Sequence, residues 1–113
     1  MKGITMPKYL ISASYTSDGV KGLMADGGSA RIAEATALIS AAGGKLESMY
    51  FAFGSDDLVG IVEVPDSVTA LAVVGVVSSS GRVSARLTPL ITPEEMDAAA
   101  TKSKSLTYRA PGA

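Results

Sequence analysis

The sequence predicts an α+β fold in which one antiparallel sheet of four strands carries two long helices on one face. Stretches with a period of two residues and stretches with a helical period alternate along the chain in the order β-α-β-β-α-β. Turns rich in glycine, serine and proline separate these stretches. With 113 residues the chain is long enough for one hydrophobic core and too short for two, so we expect a single domain.

The first strand is predicted over residues 9–15, where Tyr9, Ile11, Ala13 and Tyr15 alternate with more polar positions. A helix is predicted to begin near residue 17 or 18, because Thr16-Ser17-Asp18 offers side chains that cap a helix. Gly27-Gly28 interrupts this helix, and Ser29 is expected to cap its continuation. The continuation is amphipathic and is predicted to end at Gly43-Gly44.

A β-hairpin is predicted over residues 45–64, with its turn at Gly54-Ser55-Asp56-Asp57. Regular alternation in its first strand places Leu46, Ser48, Tyr50 and Ala52 on one face, and Glu47, Met49, Phe51 and Phe53 on the other. Its second strand, residues 58–64, is apolar on both faces. Such a strand is usually covered on both faces.

Residues 66–80 are predicted to form a helix, although the β-branched run at 70–77 favours a strand by propensity. Asp66 can cap a helix, and the run is long for one strand. A fourth strand over 82–91 contains Pro89, which predicts a position at the sheet edge. Thr92-Pro93-Glu94-Glu95 is a capping box that begins a short helix ending near Ala100, before a flexible basic tail over 102–113.

This order of elements is the split βαβ arrangement of ferredoxin-like folds. Right-handed crossovers give the strand order 4-1-3-2, with both long helices on one face of the sheet. The other face is then bare and carries apolar residues such as Val59 and Ile61. We therefore expect a homo-oligomer in which bare faces pack together. The apolar helix at 68–77 could supply a second contact or lie beneath the C-terminal helix.

Three blocks in this order resemble the GYD-domain family of small bacterial proteins. They are PKYLISASYTSDGVKGL at 7–23, GGKLESMYFAFGSDD at 43–57 and SSSGRVSARLTPLITPEEMDAA at 78–99. The Gly-Tyr-Asp that names the family reads Gly54-Ser55-Asp56 here. The resemblance covers residues 7–101, with residues 1–6 interpreted as an N-terminal extension. It implies a ferredoxin-like fold and a dimeric α/β-barrel-like assembly, and it implies no established activity.

The composition excludes several classes of chemistry. The chain has no histidine and no cysteine, which removes imidazole bases, thiolate nucleophiles and His/Cys metal sites. Its formal charge of −1 argues against a nucleic-acid partner. The N-terminus lacks the pattern of a secretory signal, and the longest apolar run is too short to span a membrane. We expect a cytoplasmic protein without a metal ion, a cofactor or catalytic residues.

A ligand site is predicted from Tyr15, Lys21, Arg31, Tyr50 and Arg86. Lys21 and Arg31 lie close in sequence to the recapped helix start at Gly27-Gly28-Ser29, where backbone amides and cations favour an anion. Aromatic residues of the first two strands could line a cleft for a flat organic molecule. Lys21 could lower the pKa of Tyr15, and Arg86 could join Glu47 and Glu63 in an ion cluster on the bare face. A solvated helix face and ordinary core packing remain the alternatives.

Three functions fit these features. The first is a homo-oligomer that binds a small organic or anionic metabolite without catalysis. The second is a cofactor-independent enzyme resembling small monooxygenases or isomerases, with Tyr15, Lys21, Tyr50 or Arg86 moving protons or orienting substrate. The third is a structural or regulatory module that docks a protein partner through the helix at 68–77.

Overall fold

The computed structural model describes residues 6–113, so the interpretation of residues 1–5 as part of an extension lies outside the described residues. The elements run, in chain order, as β1 (Lys8–Tyr15), α1 (Ser17–Asp26), α2 (Gly28–Ala41), β2 (Lys45–Phe51), β3 (Leu58–Glu63), α3 (Ser67–Ser79), β4 (Val83–Leu90) and α4 (Pro93–Ser103). The predicted order of elements is therefore confirmed. No helix within the described range is both long and apolar enough to cross a membrane.

The four strands form one antiparallel sheet in the order β2-β3-β1-β4. This is the predicted ferredoxin-like order, and Pro89 lies on an edge strand as expected. Helix α2 packs on β2 at one side of the sheet, and α3 packs on β4 at the other. Both helices lie on the same face, where they share one core with the sheet. That core consists of Tyr9, Ile39, Val62, Val64, Ala70 and Val73.

Gly27 separates α1 from α2. Its φ of +85° lies in the region that side chains other than glycine rarely adopt, so the chain changes direction there instead of continuing as one helix. Gly27 is also the N-cap residue of α2, and no side chain caps this end. The prediction that Ser29 caps the second helix is wrong, because Ser29 lies inside the first turn of α2.

A β-bulge at Glu47 changes the predicted faces of β2. Leu46 lies opposite Val62 and Ser48 lies opposite Ile61, which follows Val62 directly in the pairing. Strand β2 therefore has one extra residue between these two pairs. Leu46, Met49 and Phe51 therefore share the helix-covered face, whereas Ser48 and Tyr50 lie on the open face. The predicted alternation is wrong before the bulge. The extra residue places Leu46 on the face of Met49 and Phe51, and not on the face of Ser48 and Tyr50.

Helix α3 is apolar on its outer face as well as its inner face. Asp66 caps it by accepting a hydrogen bond from the Thr69 N–H at 2.8 Å, and the hydrogen bonds from Thr69 lower the pKa of Asp66. Ala70 and Val73 are buried against the sheet. The outward positions are all exposed and consist of Val68, Leu71, Ala72, Gly75 and Val76. We call these five residues the outer face of α3.

Helix α4 begins with the predicted capping box, in which Thr92 and Glu95 exchange hydrogen bonds, and continues to Ser103, beyond the predicted end. Every residue from 90 to 113 is exposed. The described chain extends 55 Å along its longest axis. We call residues 91–113 the C-terminal arm. It does not cover α3 of its own chain.

Candidate functional site

A cleft opens between α2 and α3 above the middle of the sheet. It forms because α2 lies over β2 and α3 over β4, which leaves space above the part of β1 and β3 that carries Ala13 and Leu58. Its volume of about 290 Å³ lies at the lower end of the range for small-molecule sites. Its walls come from Ala35, Leu38 and Ile39 of α2 and from Val73, Val74 and Val77 of α3.

The floor of the cleft is apolar and is built from small side chains of the sheet. Ala13 of β1 and Ala85 of β4 lie side by side in the strand register, and Leu58 of β3 pairs with Ala13 from the other side. Alanine at both central positions leaves room that larger side chains would fill. Met49 of β2 also lines the cleft, because it lies opposite Gly60 on the helix-covered face of the sheet.

Polar side chains lie at one end of the cleft, where Tyr15, Arg31 and Glu34 line it. Burial raises the pKa of Tyr15, and the neighbouring charge of Arg31 only partly offsets this effect. Tyr15 therefore keeps its proton at neutral pH and can donate a hydrogen bond. The prediction that Lys21 lowers the pKa of Tyr15 is wrong, because the cation beside this phenol is Arg31 and burial dominates.

Arg31 is half-buried and takes part in no salt bridge with any described residue. The position of Arg31 follows from the helical period of α2. The side of α2 that faces the cleft carries Arg31, Glu34, Ala35 and Leu38. A guanidinium presents five N–H donors and stays protonated at every physiological pH. This end of the cleft therefore offers one positive charge and hydrogen-bond donors to an anionic group, with the Glu34 carboxylate also lining it.

Asp57 holds Tyr15 in place. Its carboxylate accepts a hydrogen bond from the backbone N–H of Tyr15 at 2.8 Å. Its own backbone N–H donates to the Ala13 carbonyl, also at 2.8 Å. The end of the β2–β3 hairpin is thus attached to the last residues of β1, which carry the cleft floor and its phenol.

We expect Asp57→Ala to lower the free energy of unfolding by about 1–2 kcal/mol, because it leaves the part-buried Tyr15 N–H without its partner. Asp56→Ala is the matched control. Asp56 pairs with Arg86, whose side chain is 62% exposed, so we expect a change within about 1 kcal/mol. Urea denaturation of both variants measures the difference. A loss for Asp57→Ala that is no larger than the loss for Asp56→Ala would contradict the expected contribution of the Tyr15–Asp57 hydrogen bond.

The remaining predicted site residues lie away from the cleft. Lys21 is exposed on α1. Tyr50 is 68% exposed and borders a separate shallow hollow with Gly28, Ser29 and Phe51. Arg86 lies on the open face of the sheet, paired with Asp56 at 2.9 Å. The structure thus brings together Tyr15 and Arg31 of the predicted set and separates the other three.

The predicted ion cluster on the open face is divided into two separate pairs. Lys8 pairs with Glu47 across β3, with Glu63 beside them, and Arg86 pairs with Asp56 instead of with either glutamate. The predicted aromatic cleft is also changed, since among residues 6–113 Tyr15 is the one aromatic residue that lines the cleft between α2 and α3. Tyr9 is buried in the core, and Phe53 is fully exposed.

The valines of α3 and Glu34 also line the cleft, although they were not among the residues predicted from the sequence. The spacing of Val73, Val74 and Val77 is helical, but α3 is apolar on every side, so its pattern does not indicate which side faces the cleft. Glu34 follows Arg31 by three residues, a spacing that places both residues on the same side of a helix. This spacing was the available signal that Glu34 lies beside Arg31. Residues 6–113 contain no group of three or more Asp or Glu side chains placed to hold a metal ion.

These features define a ferredoxin-like α+β domain with an apolar cleft and a cation at one end. The sequence model of the GYD-domain family matches residues 9–100, and the chain belongs to this family. No curated protein and no solved structure matches the chain significantly. Asp56, in the turn of the β2–β3 hairpin, binds Arg86.

Proposed function

We propose that this GYD-domain protein is a cytoplasmic bacterial homo-oligomer that binds a small organic anion in the cleft between α2 and α3 without transforming it. The ligand has an apolar body that fills the space between the helices and an acidic group at one end. The observation that supports this proposal is Arg31, a half-buried cation without a salt bridge to any described residue, at the polar end of a cleft whose other walls and floor are apolar.

The chemistry of the cleft favours a carboxylate over a neutral group. Arg31 can donate two parallel hydrogen bonds to a carboxylate, and the neutral phenol of Tyr15 can add a third. Hydrogen bonds to a charged group are worth about 1.5–3 kcal/mol, which corresponds to about tenfold to hundredfold in affinity. Glu34 at the same end disfavours a second negative charge, so a monoanion fits better than a dianion.

Self-association would cover the open face of the sheet. Leu10, Val59 and Ile61 lie on this face and are partly exposed, and Tyr50 beside them is largely exposed. Lys8–Glu47 and Arg86–Asp56 lie around this apolar centre. An apolar centre surrounded by charged pairs is typical of protein interfaces. A second copy placed on this face by a two-fold axis would bury both centres together.

Calorimetric titration with 3-phenylpropanoate and with its neutral amide tests the ligand proposal. We expect the carboxylate to bind at least about tenfold more tightly than the amide, because only the carboxylate accepts charge-assisted bonds from Arg31. Arg31→Gln should remove this preference while leaving the amide unaffected. Arg109→Gln in the C-terminal arm is the matched control, and we expect it to retain the preference of the wild type.

Two outcomes would contradict the proposal. Equal affinity for the carboxylate and the amide in the wild type would mean that Arg31 does not select an anion. Consumption of a bound carboxylate by the wild-type protein, detected by mass spectrometry of the small molecule, would favour the cofactor-independent enzyme instead. Native mass spectrometry of the whole protein tests the oligomer separately, and a monomer at micromolar concentration would contradict it.

A further inference from the structure

We propose that the C-terminal arm of one chain packs its helix α4, antiparallel, on the outer face of α3 of a second copy. This contact is distinct from the open face of the sheet, and it does not depend on the ligand of the cleft. Two surfaces of the same chain carry the proposal. The outer face of α3 is apolar and uncovered, and the arm is entirely exposed.

Helix α4 needs a packing partner. It has 11 residues, and isolated helices shorter than about 12–15 residues are marginal in water. Its capping box stabilises only the first turn. Met96, Ala99, Ala100 and Ser103 recur at helical spacing and form one apolar to weakly polar side, with Met96 57% exposed. Leu106 and Tyr108, further along the arm, are also largely exposed.

The outer face of α3 suits a helix as its occupant. Val68 and Leu71 are each more than 70% exposed, and Ala72 and Gly75 between the larger residues allow a second helix to approach closely. A Cβ atom at Gly75 would meet nothing within 4 Å, so packing within this chain does not account for glycine at this position. Solvent-exposed glycine in the middle of a helix is unfavourable.

The arm cannot reach this face in its own chain. Ile91 and Thr92 alone join the end of β4 to the start of α4, and the three steps from Leu90 to Pro93 span at most about 11 Å. A helix on top of α3 lies two packed layers above the sheet, about 18–20 Å away. An arm that covers this face must therefore come from a second copy.

The charges at the ends of α3 and α4 also favour an arm from a second copy, and they favour an antiparallel direction of α4 relative to α3. Strands β3 and β4 both run antiparallel to β1, so β4 ends at the side of the sheet where α3 begins. An arm folded back within one chain would run parallel to α3 and place Glu94 and Glu95 near Asp66. In a second copy the arm can run antiparallel, which places those glutamates near Arg82 and places Lys102 near Asp66.

Disulfide trapping tests this contact directly, because the chain has no cysteine of its own. Leu71→Cys and Ala99→Cys are introduced into separate chains of different length, which are expressed together and oxidised. We expect a covalent heterodimer on a non-reducing gel, since the two Cα atoms would lie within about 7 Å. Leu71→Cys with Ala98→Cys is the matched control, because Ala98 lies on the opposite side of α4, and it should give little product.

A second measurement uses charge. Arg82→Glu should weaken self-association by about tenfold or more, and adding Glu94→Arg with Glu95→Arg should restore it. Both variants change exposed side chains, so circular dichroism should show an unchanged fold. Equal trapping at Ala98 and Ala99, or loss of association without rescue, would overturn the proposal. Trapping of Ala99→Cys by Ile61→Cys instead of by Leu71→Cys would also overturn it, because the arm would then lie on the open face of the sheet.

Discussion

Replacing Gly19 with alanine is expected to lower the free energy of unfolding by about 2 kcal/mol, because the added methyl group has no space. Gly19 lies in the first turn of α1, and a Cβ atom there would overlap the backbone carbonyl of Arg82 and press on the ring of Tyr15. The same carbonyl accepts a hydrogen bond from the Thr16 N–H at 2.9 Å, which joins the start of α1 to the start of β4. A backbone carbonyl cannot move aside as a side chain can.

Gly22→Ala in the same helix is the matched control, with the opposite sign. A Cβ atom at Gly22 would meet nothing within 4 Å, so alanine should stabilise the helix by about 0.5–1 kcal/mol. Urea denaturation of both variants, followed by circular dichroism, measures the two changes. Changes of the same sign in both variants would contradict the close approach of α1 to β4.

The second large effect is expected for Ile39→Ala. Ile39 is 2% exposed, belongs to the core and lines the cleft. Its truncation should lower the free energy of unfolding by about 3 kcal/mol, because the cavity left behind adds to the lost burial. Thermal unfolding of the variant measures this loss.

Met24→Ala is the control for this truncation. Met24 is 75% exposed on α1, and we expect its removal to change the free energy of unfolding by no more than about 0.5 kcal/mol. The proposed ligand site also has a specific consequence for binding. Because Ile39 lines the cleft, Ile39→Ala should admit a bulkier apolar body, so the variant should bind 3-(4-tert-butylphenyl)propanoate better relative to 3-phenylpropanoate than the wild type does. An unchanged ratio would mean that Ile39 does not limit the cleft.

Helix ends could be predicted from sequence because their determinants lie within four residues. Thr92 and Glu95 cap α4 as expected, and Asp66 caps α3 although the run that follows favours a strand by propensity. The case of α3 shows that a local capping signal can outweigh the propensity of a longer segment when tertiary packing agrees with it. The strand order followed from the handedness of crossovers, which is a general rule and not a property of these residues.

The bulge in β2 could not be predicted, because it depends on the facing strand. Gly60 of β3 lies opposite Met49, and a Cβ atom at Gly60 would lie 2.5 Å from the Ser48 carbonyl oxygen. The missing side chain thus allows the bulged segment to approach β3 closely. Nothing within residues 45–51 alone indicates this contact.

The cleft itself could be predicted only in part. Arg31 and Tyr15 were identifiable by their chemistry, but their meeting depends on how α2 is placed relative to β1. Lys21 precedes Arg31 by ten residues on the preceding helix, and the turn at Gly27 separates the two. Tyr50 was assigned to the cleft from its neighbours in sequence, whereas the alternation of the strand turns it to the opposite face of the sheet.

The bulge at Glu47 makes β2 tolerant of a change in chain length. Leu46 on one side and Ser48 on the other already face consecutive residues of β3, Val62 and Ile61. Removing the codon for Glu47 would therefore leave every later pair of this hairpin in register and Met49 still in the cleft. The ion pair with Lys8 would be lost. Loss of one residue here therefore leaves the side chains that line the cleft unchanged.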